Sequence, residues 1–228
     1  MLNQLTFNMK NIFIIIITFI NFTLFSQSLP QTINLDNQII EYNGYTISYN
    51  ETYEQPNWVY YVLKPSDLVG DVVIRRNDFR EDSRIESGTA SLDDYRGSGY
   101  DRGHLKPAGD EPCDSTQMSE TFYMSNMSPQ DPSFNRGIWK KLENYARTVT
   151  EKSDSVVVIT GGVLTDGLKT IGENWVAVPE FFFKVLYIYR DGGLEVRAFL
   201  LKNEKSNEPL GTFLLELTVL GEFIGLYF

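Results

Sequence analysis

One cysteine and one histidine stand among 228 residues. With Cys113 alone no intramolecular disulfide can form, so packing must hold the fold, and Cys113 is expected to be buried and inert. Basic residues are also scarce: 20 Lys and Arg against 30 Asp and Glu leave a formal net charge of −10. That balance excludes the broad basic footprint by which most nucleic-acid-binding domains are recognised. It leaves room for an enzyme that grips single phosphates through a cation and a few arginines. Beyond residue 28 no apolar run approaches the length of a membrane span, and no internal repeat or low-complexity linker interrupts the chain.

The length suits one compact domain with a short appendage. The appendage is N-terminal. Residues 1–10 are polar and end in Lys10, residues 12–25 (IFIIIITFINFTLF) are almost wholly apolar, and Ser26-Gln27-Ser28 is small and polar. This three-part layout reads as a signal peptide over residues 1–28. The expectation is a secreted or periplasmic protein whose mature domain, residues 29–228, has no membrane partner.

From Ile39 onward, β-type runs alternate with turn residues. Residues 39–41, 45–49 and 58–63 read as strands, with Asn43-Gly44 as a tight turn, and residues 72–74 and 121–124 as further strands. Residues 80–100 read as a charged loop. Ile138, Trp139, Leu142, Tyr145, Ala146 and Val149 recur at helical spacing, predicting a helix over 134–150 capped by Ser133 or Asn135. Residues 156–160, 181–189 and 194–201 are later strands, the last two joined by Asp191-Gly192-Gly193. Many strands around one marked helix imply an α+β fold with a largely antiparallel central sheet flanked by helices.

His104 lies in Tyr100-Asp101-Arg102-Gly103-His104-Leu105-Lys106-Pro107-Ala108-Gly109-Asp110. On a strand, Arg102 and His104 point to one face, placing a phosphate-clamping guanidinium beside a base. Gly103 between them would admit close approach of a backbone or substrate. On the helix, Asn135 and Glu143 fall near the edge of the stripe that Trp139 and Leu142 anchor. An amide oxygen and a carboxylate there suit a hard cation such as Mg²⁺. Taken alone, Asn135 as a helix cap and Glu143 as a solvated charge are the readings to prefer.

Asp101-Arg102-Gly103-His104 resembles the signature of the DNA/RNA non-specific endonucleases, a branch of the ββα-metal (His-Me finger) nucleases. The similarity continues through residues 121–130 (TFYMSNMSPQ), Phe134-Asn135-Arg136-Gly137-Ile138-Trp139, Leu142-Glu143, residues 158–161, residues 176–179 and residues 224–228, covering roughly 55–228. Gly162 departs from it, since relatives usually carry proline there. The resemblance implies a ββα-metal fold, His104 as general base, and Asn135 as direct ligand of Mg²⁺ or of another divalent cation such as Mn²⁺. It makes Glu143 the holder of the cation's water and Asn126 a supporting residue, with Arg102 and Arg76 on the phosphate and Arg75 a neighbour of Arg76. Expected substrates are DNA and RNA, cut with little sequence preference to 5′-phosphate products. Two other readings stand beside it: a silenced nuclease-like module that binds polyanions, and a phosphodiesterase of small nucleotides. Retention of His104 and Asn135 weighs against the first.

Overall fold

The computed structural model describes residues 31–32 and 37–227. Its frame is a seven-stranded antiparallel sheet. In chain order the principal elements are β1 (Asn37–Glu41), β2 (Thr46–Asn50), β3 (Gln55–Leu63), β4 (Asp101–His104), helix α1 (Ser115–Glu120), β5 (Met127–Gln130), helix α2 (Lys140–Thr150), β6 (Ser155–Gly162), β7 (Phe181–Arg190), β8 (Gly193–Lys202), β9 (Leu214–Leu215) and helix α3 (Leu217–Ile224). The sheet runs β9-β8-β7-β6-β3-β2-β1, and β4 pairs with β5 outside it. The expected α+β class with an antiparallel sheet is observed.

Alternation along the strands sorts two cores. Val156, Val158, Phe182, Leu186 and Tyr61 point to the face that carries Phe134, Ile138, Trp139, Leu142 and Ala146, the buried stripe of the helical segment. Val157, Ile159, Phe183, Val185 and Trp58 point the other way, toward Leu220 of α3. Burying both faces gives the central strands their continuous apolar character. Between β7 and β8, Asp191 (φ 51°) and Gly192 (φ 74°) form a two-residue turn with both φ positive, matching the strand twist.

Several local expectations are corrected. Residues 72–74 form no strand: Val73 turns inward and its N–H bonds Pro112 O at 2.8 Å, while Val72 and Ile74 stand exposed. Residues 121–124 are the exit of α1, itself capped by the Asp114 carboxylate, and the strand begins at Met127. Neither Ser133 nor Asn135 caps the long helical segment. Asp131 does: its Oδ1 accepts from the N–H groups of Ser133 (2.7 Å) and Phe134 (3.1 Å), with Pro132 at the first position. Residues Asn135–Trp139 then make a wide π-type turn, broken at Gly137 (φ −105°, ψ −108°), before α2 runs regularly. Cys113 is half-buried and free.

Candidate active site

β4, β5 and the helical segment opened by Asp131 make a strand-strand-helix unit, and the chemistry-bearing side chains cluster on it. Arg102 and His104, two apart on β4, meet the same ring: the Arg102 guanidinium lies 4.3 Å from the Phe79 centroid and the His104 ring 5.5 Å from it. Phe122 meets both the imidazole and the Phe79 ring at 4.9 Å and carries Arg75 at 5.0 Å. His104 therefore packs edge-on against a pair of touching aromatic rings, each carrying a guanidinium. Its Nε2 is buried without a hydrogen-bond partner. Burial first, then the charges of Arg75 and Arg102, push the imidazole down to about 3, so it is neutral near pH 7.

Gly103 answers to a different need from the one expected. A Cβ there would fall inside the fully buried Gln130 side chain, so the glycine makes room for protein packing. The two neighbouring arginines stand differently. Both are exposed, but Arg76 makes no hydrogen bond, ion pair or ring contact among the described residues, whereas Arg75 lies on Phe122 and its charge acts on both His104 and Glu143.

Asn135 donates from Nδ2 to Asp101 Oδ2 at 2.9 Å, and Arg136 grips the same carboxylate with two bonds at 2.8 and 2.6 Å. A carboxylate only accepts, so the amide's nitrogen must face Asp101 and its Oδ1 is left to face away. That oxygen fits a hard divalent cation, which takes oxygen donors and keeps much of its water. Among the described residues no three His, Cys, Asp or Glu side chains gather to hold a metal. A cation here would rest on Asn135 and water, with few protein ligands.

Asn126 does not face the reacting groups. Its Oδ1 accepts from Lys106 N–H at 2.9 Å, and its Nδ2 donates to the carbonyls of Lys106 (2.9 Å) and Thr121 (2.8 Å). It staples the exit of β4 to the turn before β5, which is a supporting role.

Glu143 lies over a cluster of buried charges that the sequence reading passed over. Lys106 is wholly buried and lies 2.7 Å from Glu111. Arg147, one helical turn beyond Glu143, binds Asp110 at 2.6 Å, and Asp110 also bonds the Tyr61 hydroxyl. Lys184 is wholly buried on β7. Burial raises the Glu143 carboxyl and lowers the Lys184 ammonium, while each charge opposes the shift of the other. Two signals could have found this cluster. Lys184 interrupts the apolar run FFFKVLYIY at a position of core parity, and Glu143 and Arg147 stand at i,i+4.

A strand-strand-helix unit presenting a neutral histidine, a free amide oxygen and paired arginines has the architecture of a ββα-metal nuclease. Comparison with known proteins gives the family. The model of the DNA/RNA non-specific endonucleases matches residues 23–228, and the chain belongs to that family. It is 37% identical over 205 residues to mitochondrial Endonuclease G of Homo sapiens, covering 84% of this chain and 69% of the relative. It is 38% identical over 205 residues to Nuclease C1 of Cunninghamella echinulata var. echinulata, covering 83% and 81%. A crystal structure of an EndoG/EndoGI complex superposes with a TM-score of 0.79 at 33% identity, covering 83% of this chain and 84% of that one.

These relatives overturn the secreted or periplasmic expectation. Endonuclease G and the nuclease EXOG, 38% identical over 176 residues in Danio rerio, are named as mitochondrial proteins, which points away from export. Residues 1–28, on which the signal-peptide reading rested, lie outside the described residues.

Proposed function

We propose that the chain is a divalent-cation-dependent endonuclease hydrolysing phosphodiester bonds of DNA and RNA with little sequence preference, with Mg²⁺ or Mn²⁺ as the cation. The observation that carries this reading is the neutral His104 packed against two arginine-bearing rings, on the same strand as the carboxylate that orients Asn135. A neutral imidazole can take a proton from water as that water attacks phosphorus. Attack forms the new P–O bond, breaks the bond to the 3′ oxygen, and leaves a 5′-phosphate. Arg102 and Arg75 contribute permanently charged contacts to the phosphate. Binding an anion between them would also screen the charges that depress His104 and make it a stronger base. Asn135 would hold the cation through Oδ1, and Glu143 would accept hydrogen bonds from its hydration shell. When bound, the cation supplies Lewis acidity to the phosphoryl and leaving oxygens. These groups address the phosphodiester and no base edge, which supports sequence tolerance.

The test is incubation of the purified protein with supercoiled plasmid, RNA and a dinucleotide ester, with Mg²⁺ or with EDTA. Nicking of plasmid and degradation of RNA that stop in EDTA and return with added Mg²⁺ are expected. Full activity in chelator removes the cation from the reading, and cleavage of the dinucleotide ester alone replaces it with a small-nucleotide phosphodiesterase.

A further inference from the structure

We propose that Lys184 is a positioning residue, its buried ammonium lodged against Trp139 and Tyr61 as the counter-charge that holds the Glu143 carboxylate ready for its work. The inference rests on the role given above to Glu143. Strand parity sets the placement. Phe182 and Leu186 point into the core shared with α2, and Lys184 lies between them on the same face. Its Nζ is 4.8 Å from the Trp139 ring centroid and 6.0 Å from that of Tyr61. Trp139 and Glu143 are four residues apart, so their side chains share the helix face that Lys184 packs against.

Three cations are buried or half-buried around this point, and two are already committed. Lys106 is paired with Glu111 at 2.7 Å. Arg147 is held by Asp110 at 2.6 Å and by Asn144 Oδ1 at 2.5 Å. Lys184 alone of the three has its charge uncommitted, for Nζ makes no hydrogen bond and no ion pair among the described residues. A buried ammonium with nothing to balance it is strongly destabilising, so a nearby anion must offset it. The groups facing Glu143 are Lys184, Asp110, Arg147 and Arg75, and those facing Lys184 are Glu143, Asp110, Arg147 and Lys106. With Asp110 taken by Arg147, Glu143 is the anion left for Lys184. The consequence is chemical. Burial favours the neutral acid, whose proton would turn an acceptor toward the cation's waters into a donor. The ammonium opposes that change.

The experiment compares Lys184→Met, Glu143→Gln and the double variant of the full chain in saturating Mg²⁺, reading kcat/KM against pH. Lys184→Met should move the acid limb of the profile upward by about one pH unit, equivalent to a loss of about tenfold on that limb. Activity should return in alkaline solution, and Lys184→Met should cost little further in the Glu143→Gln background. An unmoved acid limb, or an undiminished loss in the Gln background, overturns the inference and leaves Lys184 a structural residue. A second arm needs neither catalysis nor a folded Lys184 variant. The infrared difference between metal-free wild type and Glu143→Gln at neutral pH should show an ionised carboxylate lost. A protonated carboxyl band in the wild type overturns the inference. Equal activity of wild type and Glu143→Gln would instead remove the role assigned to Glu143, while the infrared arm still reads whether Glu143 is ionised.

Discussion

Asn135 Nδ2 and Asp101 Oδ2 lie 2.9 Å apart, joining β4 to the start of the helical segment that Asp131 opens. The bond is reinforced from outside, because Arg136 grips both oxygens of the same carboxylate. It decides which end of the amide is free, and through that end the cation would be held.

Asp101→Ala should therefore weaken cation binding without unfolding the protein. Residues that orient a ligand typically cost about 10–100-fold in metal affinity or activity when removed. Mn²⁺ binding followed by paramagnetic resonance reads the affinity directly, and melting reads the fold. An unchanged Mn²⁺ affinity would show that the amide holds its orientation without Asp101.

Gly103→Ala places a methyl group inside the buried Gln130 side chain. Overpacking of this kind costs about 1–3 kcal/mol, and here the shift would fall on the strand carrying Arg102 and His104. Both Tm and kcat should drop. Adding Gln130→Ala opens the space and should recover part of the Tm. Failure of the second change to recover any stability would place the need for glycine in the backbone instead.

Much of this fold was legible because alternation and turn chemistry are local. Val156 to Ile159 and Asp191-Gly192 behave as their patterns predict, and Asn43-Gly44 makes the expected connection without the positive φ of the usual hairpin turn. The errors fall where tertiary contacts decide. Thr121 to Met124 is apolar enough for a strand, yet the capped helix before it carries the chain into a turn. The site divides in the same way. His104, Arg102 and Asn135 were visible because they are adjacent in a motif or periodic on a helix. Lys106, Asp110, Arg147 and Lys184 are scattered over nearly eighty positions and meet only once the sheet and α2 pack. Choosing between Arg75 and Arg76 required knowing which of two neighbours turns toward Phe122.

His104→Ala should lose about 10²–10⁴ in kcat while remaining folded. The imidazole also leaves a stability signature. Its folded pKa of about 3 lies below the unfolded value of about 6.5, so between these limits the unfolded chain binds the proton that the folded chain refuses. The contribution of His104 is thus present above about pH 6.5 and is lost as pH falls toward about 3. Glu143 has the opposite sign, since its folded pKa is raised, but it is present in both proteins and cancels in the comparison. The Tm advantage of wild type over His104→Ala should shrink from about pH 7 to about pH 4. A difference independent of pH would mean that the histidine is not held neutral by its surroundings.

The acidic composition makes the salt dependence of binding the sharpest test of how substrate is held. Each neutralised duplex phosphate contributes about −0.9 to the slope of log affinity against log salt. A protein that tracks the backbone along a basic groove engages about six to ten phosphates on that scale. Here Arg136 and Arg147 are already spent on Asp101 and Asp110, which leaves Arg75, Arg102 and the cation at the centre. Lys140 and Lys141, exposed on α2, can add a contact. About two to four phosphates should be engaged, giving a slope of about −2 to −4. Titration of NaCl against binding of a duplex to His104→Ala in saturating Mg²⁺ measures it. Arg75→Ala should flatten the slope by about 0.9, while Arg76→Ala should change it less, because only Arg75 faces the imidazole. A slope steeper than about −6 would require a cationic track that this surface does not offer, and one near zero would move the substrate from a polymer to a single small phosphodiester.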